Sequence, residues 1–341
     1  MFSSSAMLLE PLYTLFGTIL RGLYNLTGNY GVAILVYGVA IRILLMPFNI
    51  KQHKNSLRQR ALQPKLAELQ RVCGKDKMRY QQEMMELYKQ NGVSLTGGMG
   101  FMFLTILLMW PIYRVVQAPL TYLSSISVES LRKIADFMAA NGYIAQTVAK
   151  SIETTNLDLI KALHNSPAAL AEVVNQGLMK AQDLISLDFF GIDIGLTPTW
   201  NITSYLGEHS EVWLPILFIV ILNLITSIFP QMLNSRLNPM LAKSKEANDL
   251  AKTNPARTAE NNSADAMNRS MMITMPVMML FFSMMMPAAM TLYWIVGNLM
   301  MMLQTYLFYV IYTRPYNDLM QKANSTSLKT RSEVAKELAK Q

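Results

Sequence analysis

Long apolar runs alternate with polar, charged stretches along this chain, and several of the runs match the thickness of a bilayer. About 20 consecutive, mostly apolar residues carry a helix across roughly 30 Å of hydrocarbon. Five such runs occur, at 30–50, 100–118, 212–232, 270–289 and 290–312. They predict an all-α polytopic membrane protein with a five-transmembrane-helix core. The last two meet at Pro287-Ala-Ala-Met290, which predicts a tight helical hairpin. Before the first run, Leu8, Leu12, Leu15, Phe16, Ile19 and Leu23 fall at helical spacing, with Glu10 and Arg21 off that stripe. Residues 1–29 therefore read as an amphipathic helix lying in the membrane interface.

The polar intervals have patterns of their own. In 51–99, Leu57, Ala61, Leu66, Leu69 and Val72 form one helical stripe and Met78, Met85, Leu87 and Tyr88 part of another. Gly74 with Asp76 predicts the turn of a helical hairpin, and Pro64 predicts a kink or restart. The 119–211 interval also reads as helical, through Val128–Ala149 and again from Ser166-Pro167 to about Leu187. It holds no strand-rich stretch of the length a β-sandwich needs. Residues 233–269 and 313–341 are polar and lack a sustained apolar face, so they read as a connector and a tail.

Composition agrees with this plan: 52% of the 341 residues are hydrophobic and only 15% charged. Charge then orients it. Segment 51–98 holds ten Lys/Arg against four acids, 233–270 six against four, and 313–341 six against three. The 119–211 loop has five against ten. Basic residues accumulate on the cytoplasmic side. The hairpin, connector and tail are thus expected inside, and the acidic loop and N-terminus outside. The formal +8 is a topology signal, and nucleic-acid binding is not needed to explain it. No secretory cleavage pattern precedes the first run. The single cysteine, Cys73, excludes an internal disulfide and a cysteine-based structural zinc site.

The residue most suggestive of chemistry is Arg42, inside the apolar run from Gly31 to Phe48. A cation at a span's centre costs roughly 2.5–3.5 kcal/mol on insertion scales. Either the span boundary lies elsewhere and Arg42 sits at the cytoplasmic rim, or Arg42 faces a polar cavity inside the protein.

A family resemblance rests on several blocks in order. Thr27-Gly-Asn-Tyr-Gly-Val-Ala-Ile34, leading into Ile41-Arg42-Ile-Leu-Leu-Met-Pro47 and Lys51-Gln52, resembles the first core span of the YidC/Oxa/Alb membrane insertases. Leu62-Gln-Pro-Lys-Leu66 and Gln82-Glu-Met-Met-Glu-Leu-Tyr-Lys89 resemble the family's hairpin. Pro287-Ala-Ala-Met-Thr-Leu-Tyr-Trp-Ile-Val-Gly-Asn298 resembles its entry into the last core span. The organisation is similar to the short five-span bacterial form. The resemblance implies a hydrophilic groove, open to cytoplasm and lipid, through which nascent membrane proteins insert, alone or beside the Sec translocon. It implies no nucleotide hydrolysis, no catalytic residues and no cofactor. The family's groove arginine maps onto Arg42; Tyr293 and Trp294, near a span's end, either sit in an interfacial aromatic belt or, by the family register, border the groove. Two departures stand out. Thr105 occupies the place of the family's groove glutamine, with Phe101 at that of a proline, and the 119–211 loop is long for the short form.

Docking surfaces follow from charge. Lys51, Lys54, Arg58 and Arg60 form a juxtamembrane basic cluster suited to anionic lipid headgroups. Ribosomal RNA is a second acidic partner for the cluster and for the tail's Lys322, Lys329, Arg331, Lys336 and Lys340. The 27 methionines, many within 267–302, suit a soft surface for varied apolar clients and equally suit plain packing. The rival class is a small anion or solute transporter or channel, which an intramembrane arginine also fits. Against it, no repeat or paired broken spans are visible. His53, His164 and His209 lie far apart, and no metal-ligand cluster, nucleophile motif or phosphate-binding glycine loop supports an enzyme.

Overall fold

The computed structural model describes residues 3–74, 76–94, 107–153, 155–237 and 263–319. Thr105, Phe101, the glycines at 97–100 and the tail lysines and arginine from Lys322 to Lys340 lie outside the described residues. The chain divides into two units, one of Met1–Arg42 with Leu108–Met302 and one of Ile43–Leu107 with Leu303–Gln341.

The first unit opens with α1 (Ser3–Thr27). The expected stripe is rotated on it: Tyr13, Phe16 and Leu20 are buried while Leu15 is exposed. The reason is a protein neighbour. A Cβ on Gly17 would stand 3.0 Å from Tyr122 Cβ, and Arg21 Nη2 donates to the Tyr122 carbonyl at 2.8 Å. The close approach that glycine permits turns that face toward α6 (Pro119–Tyr122). Helix α2 (Tyr30–Leu44) follows, its first turn capped by Asn29, whose Oδ1 accepts from Val32 N at 3.1 Å. The expected single segment 30–50 is therefore interrupted. Leu45 breaks it, and α3 (Met46–Cys73) restarts with Pro47 near its N-terminus, where proline's missing N–H costs no hydrogen bond.

After α5 (residues 107–117), the loop builds a compact helical layer: α6, α7 (Val128–Ala140), α8 (Gln146–Lys150), α9 (Leu157–Asn165) and α10 (Pro167–Asn175). Leu131, Ile134, Met138, Leu159, Ile160 and Leu163 are buried there. Buried Asn156 ties the layer to the end of α5: its N–H donates to the Gln117 carbonyl at 3.1 Å, and its Oδ1 accepts from Leu120 N. The two long helical expectations are shortened. Gly142 at φ +75 follows the end of α7, and Gly177 at φ +69 ends the run expected to reach Leu187, because a left-handed residue cannot continue the helix. Ser166 precedes α10 as expected, although its side chain makes no capping bond.

A two-stranded hairpin then forms, β1 (Asp188–Phe189) against β2 (Ile192–Asp193). Its neighbours are the starts of two long helices. Asn29 Nδ2 donates to the Asp188 carbonyl at 3.0 Å, and a Cβ on Gly31 would clash with the Phe189 ring. On the other side Ala289 N donates to the Ile194 carbonyl at 2.8 Å and Ala288 N to the Leu196 carbonyl at 2.9 Å. Those two N–H groups begin a helix and have no partner within it. The loop thus caps one long helix and clasps the start of another.

The unit closes with α11 (Ile202–Leu206), α12 (Ser210–Leu237), α13 (Ser263–Met285) and α14 (Ala288–Phe308). Only Met286 and Pro287 separate the last two, which is the tight hairpin the sequence predicts. Helices α12 and α13 pack along one another.

In the second unit α3 pairs with α4 (Lys77–Gln90) across Gly74, with Asp76 capping α4 by accepting from Arg79 N at 3.0 Å. Leu62, Leu66, Tyr88 and Val93 form their shared core. The helix passes through Pro64 without the expected interruption, held on either side by Leu62 and Leu66 in that core. The helical path also continues past α14, through a π turn at Tyr309–Thr313 and on to residue 319, so the start of the expected tail is helical.

Among the described residues, three stretches are long and apolar enough to cross a membrane: Tyr30–Gln63, Ser210–Leu237 and Ala288–Leu319. A shorter apolar helix covers Thr274–Met285. The protein is all-α and membrane-spanning. Of the two other expected spans, 100–118 falls partly outside the described residues.

Candidate functional site

Two glycines bring α2 and α14 together. A Cβ on Gly38 would meet Val296 Cγ1 at 3.1 Å and Tyr293 Cδ2 at 3.5 Å. One turn further along α14, a Cβ on Gly297 would stand 3.0 Å from Arg42 Nη2 and 3.8 Å from Arg42 Cζ. Small residues let membrane helices approach closely, and here the second one makes room for a guanidinium against the α14 backbone. Arg42 itself sits in the last turn of α2, where the carbonyl ends favour a cation. The Tyr37 and Tyr293 rings lie 6.3 Å apart at 44°, and Arg42 is within electrostatic reach of Tyr293.

Arg42 has no carboxylate partner among the described residues, whose ion pairs are Arg79–Glu83, Arg132–Glu153, Lys133–Glu129 and Lys161–Asp193. On the same two helices Tyr37 Oη, Thr291 Oγ1 and Trp294 Nε1 are buried without a hydrogen-bond partner among the described residues. An unmade hydrogen bond on a buried polar group costs about 1–3 kcal/mol. This helix pair thus carries an arginine with no carboxylate and three polar groups with no hydrogen-bond partner among the described residues.

A second polar cluster behaves differently. Asn223 Nδ2 donates to Ser283 Oγ at 2.7 Å, and Ser283 Oγ donates to the Met279 carbonyl at 2.8 Å. Asn298 Nδ2 donates to Asn223 Oδ1 at 3.2 Å and to Thr226 Oγ1 at 3.4 Å. Thr226 Oγ1 in turn donates to the Asn223 carbonyl at 3.1 Å. Four buried polar residues thus lace α12, α13 and α14 together, each with a partner. Hydropathy missed this cluster. Its only trace in the sequence is an asparagine inside each of two apolar runs.

Residues 22–314 match the family described as 60Kd inner membrane protein. The chain belongs to that family, the YidC/Oxa family. Proteins named Membrane protein insertase YidC are similar to it. One from Caldanaerobacter subterraneus subsp. tengcongensis is 37% identical over 101 residues, 30% of this chain and 49% of that one. One from Haemophilus influenzae is 28% identical over 199 residues, 57% of this chain and 34% of that one. One from Histophilus somni is 28% identical over 209 residues, 60% of this chain and 36% of that one. The chain spans less than half the length of these curated relatives. The family and the apolar helices make it a multi-pass protein of the bacterial inner membrane.

Of the residues that the family resemblance singles out, Arg42 and Tyr293 come within electrostatic reach of each other, Trp294 lies on α14, and Thr105 lies outside the described residues. Tyr37 and Gly38 meet Tyr293, and Gly297 meets Arg42. The methionines divide: Met275, Met278 and Met285 are exposed on α13 beside Phe281 and Phe282, whereas Met284 and Met290 are buried.

Proposed function

We propose that the chain is a membrane protein insertase and chaperone, receiving polar segments of nascent membrane proteins at the α2–α14 face around Arg42. The observation that supports this most is the Arg42 guanidinium seated against Gly297 with no carboxylate among the described residues, and Tyr37, Thr291 and Trp294 groups on the same helices with no hydrogen-bond partner among them. A polar segment crossing about 30 Å of hydrocarbon has to shed its water. A cation and polar groups held within the protein lower that cost, and attract acidic residues of a client tail more strongly than the same charge in bulk water would. Release is sideways into lipid, where burial of a client helix yields about 25 cal/mol per Å² of apolar surface removed from water. That gain supplies the driving force, so the step needs no nucleotide and no cofactor, and the chain acts as no enzyme. Exposed Met275, Met278, Phe281 and Met285 offer the apolar client an adaptable face.

In this reading the N-terminus lies outside and the C-terminus inside, as the loop charges direct. By the family register Thr105, outside the described residues, takes the place of the groove glutamine. The Sec translocon, the ribosome and anionic lipids are partners, the last two through Lys51, Lys54, Arg58, Arg60 and the tail's Lys329, Arg331 and Lys336. The test is reconstitution in liposomes with a single-span client bearing a short acidic N-terminal tail, followed by protease protection of that tail. Protection well above empty liposomes is expected. Background protection by folded, correctly oriented protein, together with solute-specific flux, would replace this reading with a transporter or channel.

A further inference from the structure

The second unit contains a cation whose surroundings imply a ligand. Helix α3 and the stretch after Met302 run side by side: Asn49 Nδ2 donates to Gln304 Oε1 at 3.2 Å, and His53 Nε2 lies 3.0 Å from Thr313 Oγ1. The His53 ring packs 4.9 Å from the Phe308 ring, and Lys54 Nζ stands 5.3 Å from the Tyr312 ring centroid. Two turns further along α3 is half-buried Arg60, within electrostatic reach of His53 and Tyr316. Arg60 has no ion pair among the described residues. Tyr316 is only 7% exposed, yet its hydroxyl has no hydrogen-bond partner among them. Residues 46–67 and 288–317 contain no Asp or Glu at all. A π turn, of a kind often found at functional sites, occupies Tyr309–Thr313 beside the cluster.

The apolar surface leading to the cluster indicates what kind of anion fits. Phe48, Leu307, Val310 and Ile311 are exposed, Ile311 by 56%. From Ile311 to Tyr316 is roughly 7 Å of helix. The interfacial layer between hydrocarbon edge and headgroups is on the order of 5–7 Å per leaflet.

We propose that Arg60, Lys54 and Tyr316 form a seat for the phosphate of an anionic phospholipid whose acyl chains lie along the exposed Phe48, Leu307 and Ile311 face. The guanidinium fork takes two phosphate oxygens, the ammonium adds a point charge, and the tyrosine hydroxyl donates a third hydrogen bond. An RNA backbone would supply the same phosphate but would leave the apolar face uncovered, so the lipid is the occupant. This deepens the lipid-contact reading of the basic cluster and assigns it a defined geometry.

The experiment uses the full chain in neutral detergent, titrated with phosphatidylglycerol or phosphatidylcholine and followed by native mass spectrometry and thermal unfolding. Phosphatidylglycerol should be retained and should raise the Tm; phosphatidylcholine should do neither. Arg60→Gln should weaken retention about tenfold and Tyr316→Phe about threefold, with the lipid-free Tm unchanged. Lys65→Gln, which removes one exposed charge from the same helix, should have no effect. Equal losses in Lys65→Gln and Arg60→Gln would mean diffuse attraction, overturning the seat while leaving lipid contact intact. Displacement of the lipid by an RNA oligonucleotide at matched phosphate concentration would overturn the lipid assignment. If Arg60→Gln does not fold, Tyr316→Phe decides alone, and full retention there defeats the proposal. None of these measurements reads insertion, so their failure leaves the insertase reading separate.

Discussion

The two polar clusters of the first unit share a helix, α14, and differ in one respect. Around Asn223 and Asn298, every buried polar side chain has a partner on a neighbouring helix or its own backbone. Around Arg42, the guanidinium has no carboxylate among the described residues, and Tyr37, Thr291 and Trp294 have no hydrogen-bond partner there. In a bilayer, a satisfied network acts as a fastening, because opening it would strand polar groups in hydrocarbon. An unsatisfied one stays costly until something else completes it. Composition alone would treat the two clusters as equivalent; their hydrogen bonds separate them.

The sharpest way to break this distinction is Arg42→Ala. Insertion of a client with an acidic tail should fall about tenfold, the equivalent of roughly 1.4 kcal/mol, while thermal stability in detergent holds, since no ion pair is lost. Arg42→Lys should retain most activity. Full insertion by both variants would show that the charge itself is dispensable. Asn223→Ala should do the reverse. Stability should drop by about 1–2 kcal/mol in denaturant or thermal unfolding, with insertion per folded molecule unchanged; a selective activity loss would merge the two clusters into one site.

Gly297→Ala probes the boundary between them. The new methyl would sit 3.0 Å from Arg42 Nη2, and the flexible end of the arginine should yield. Insertion should then fall about threefold, roughly 0.6 kcal/mol, with little change in melting. Normal insertion kinetics in that variant would show that the guanidinium's seat is unimportant. The smallest effect belongs to Tyr37→Phe, which deletes an unpartnered hydroxyl. Stability should rise or stay level by about 0–1 kcal/mol. A clear loss of melting temperature would reveal a protein partner for that hydroxyl.

Much of the fold is legible locally. Hydropathy places α2, α12 and the α13–α14 hairpin, and Gly74 with Asp76 places the turn between α3 and α4. Helix ends are less legible. Gly142 and Gly177 stop α7 and α10 earlier than periodicity suggests, and Pro64 stops nothing because Leu62 and Leu66 anchor the helix on both sides. The site is legible in part. Arg42 stands out as a charge in an apolar run, and the blocks around Tyr293 and Trp294 carry the family resemblance. Gly38 carries no local signal, since it matters only through residues more than 240 positions away.

The sequence by itself determined the helical, membrane-spanning class, the family and the charge asymmetry between segments, because each depends on residue type and near-neighbour spacing. The tertiary structure alone decided which polar groups are satisfied. It also decided that the 119–211 loop carries a hairpin that clasps the start of α2, followed by Ile194 and Leu196, whose carbonyls cap α14. Those outcomes depend on bonds between segments far apart in the chain, such as Asn29 with Asp188 and Asn223 with Asn298. No local pattern encodes them, because a hydrogen bond depends on where two groups finally meet.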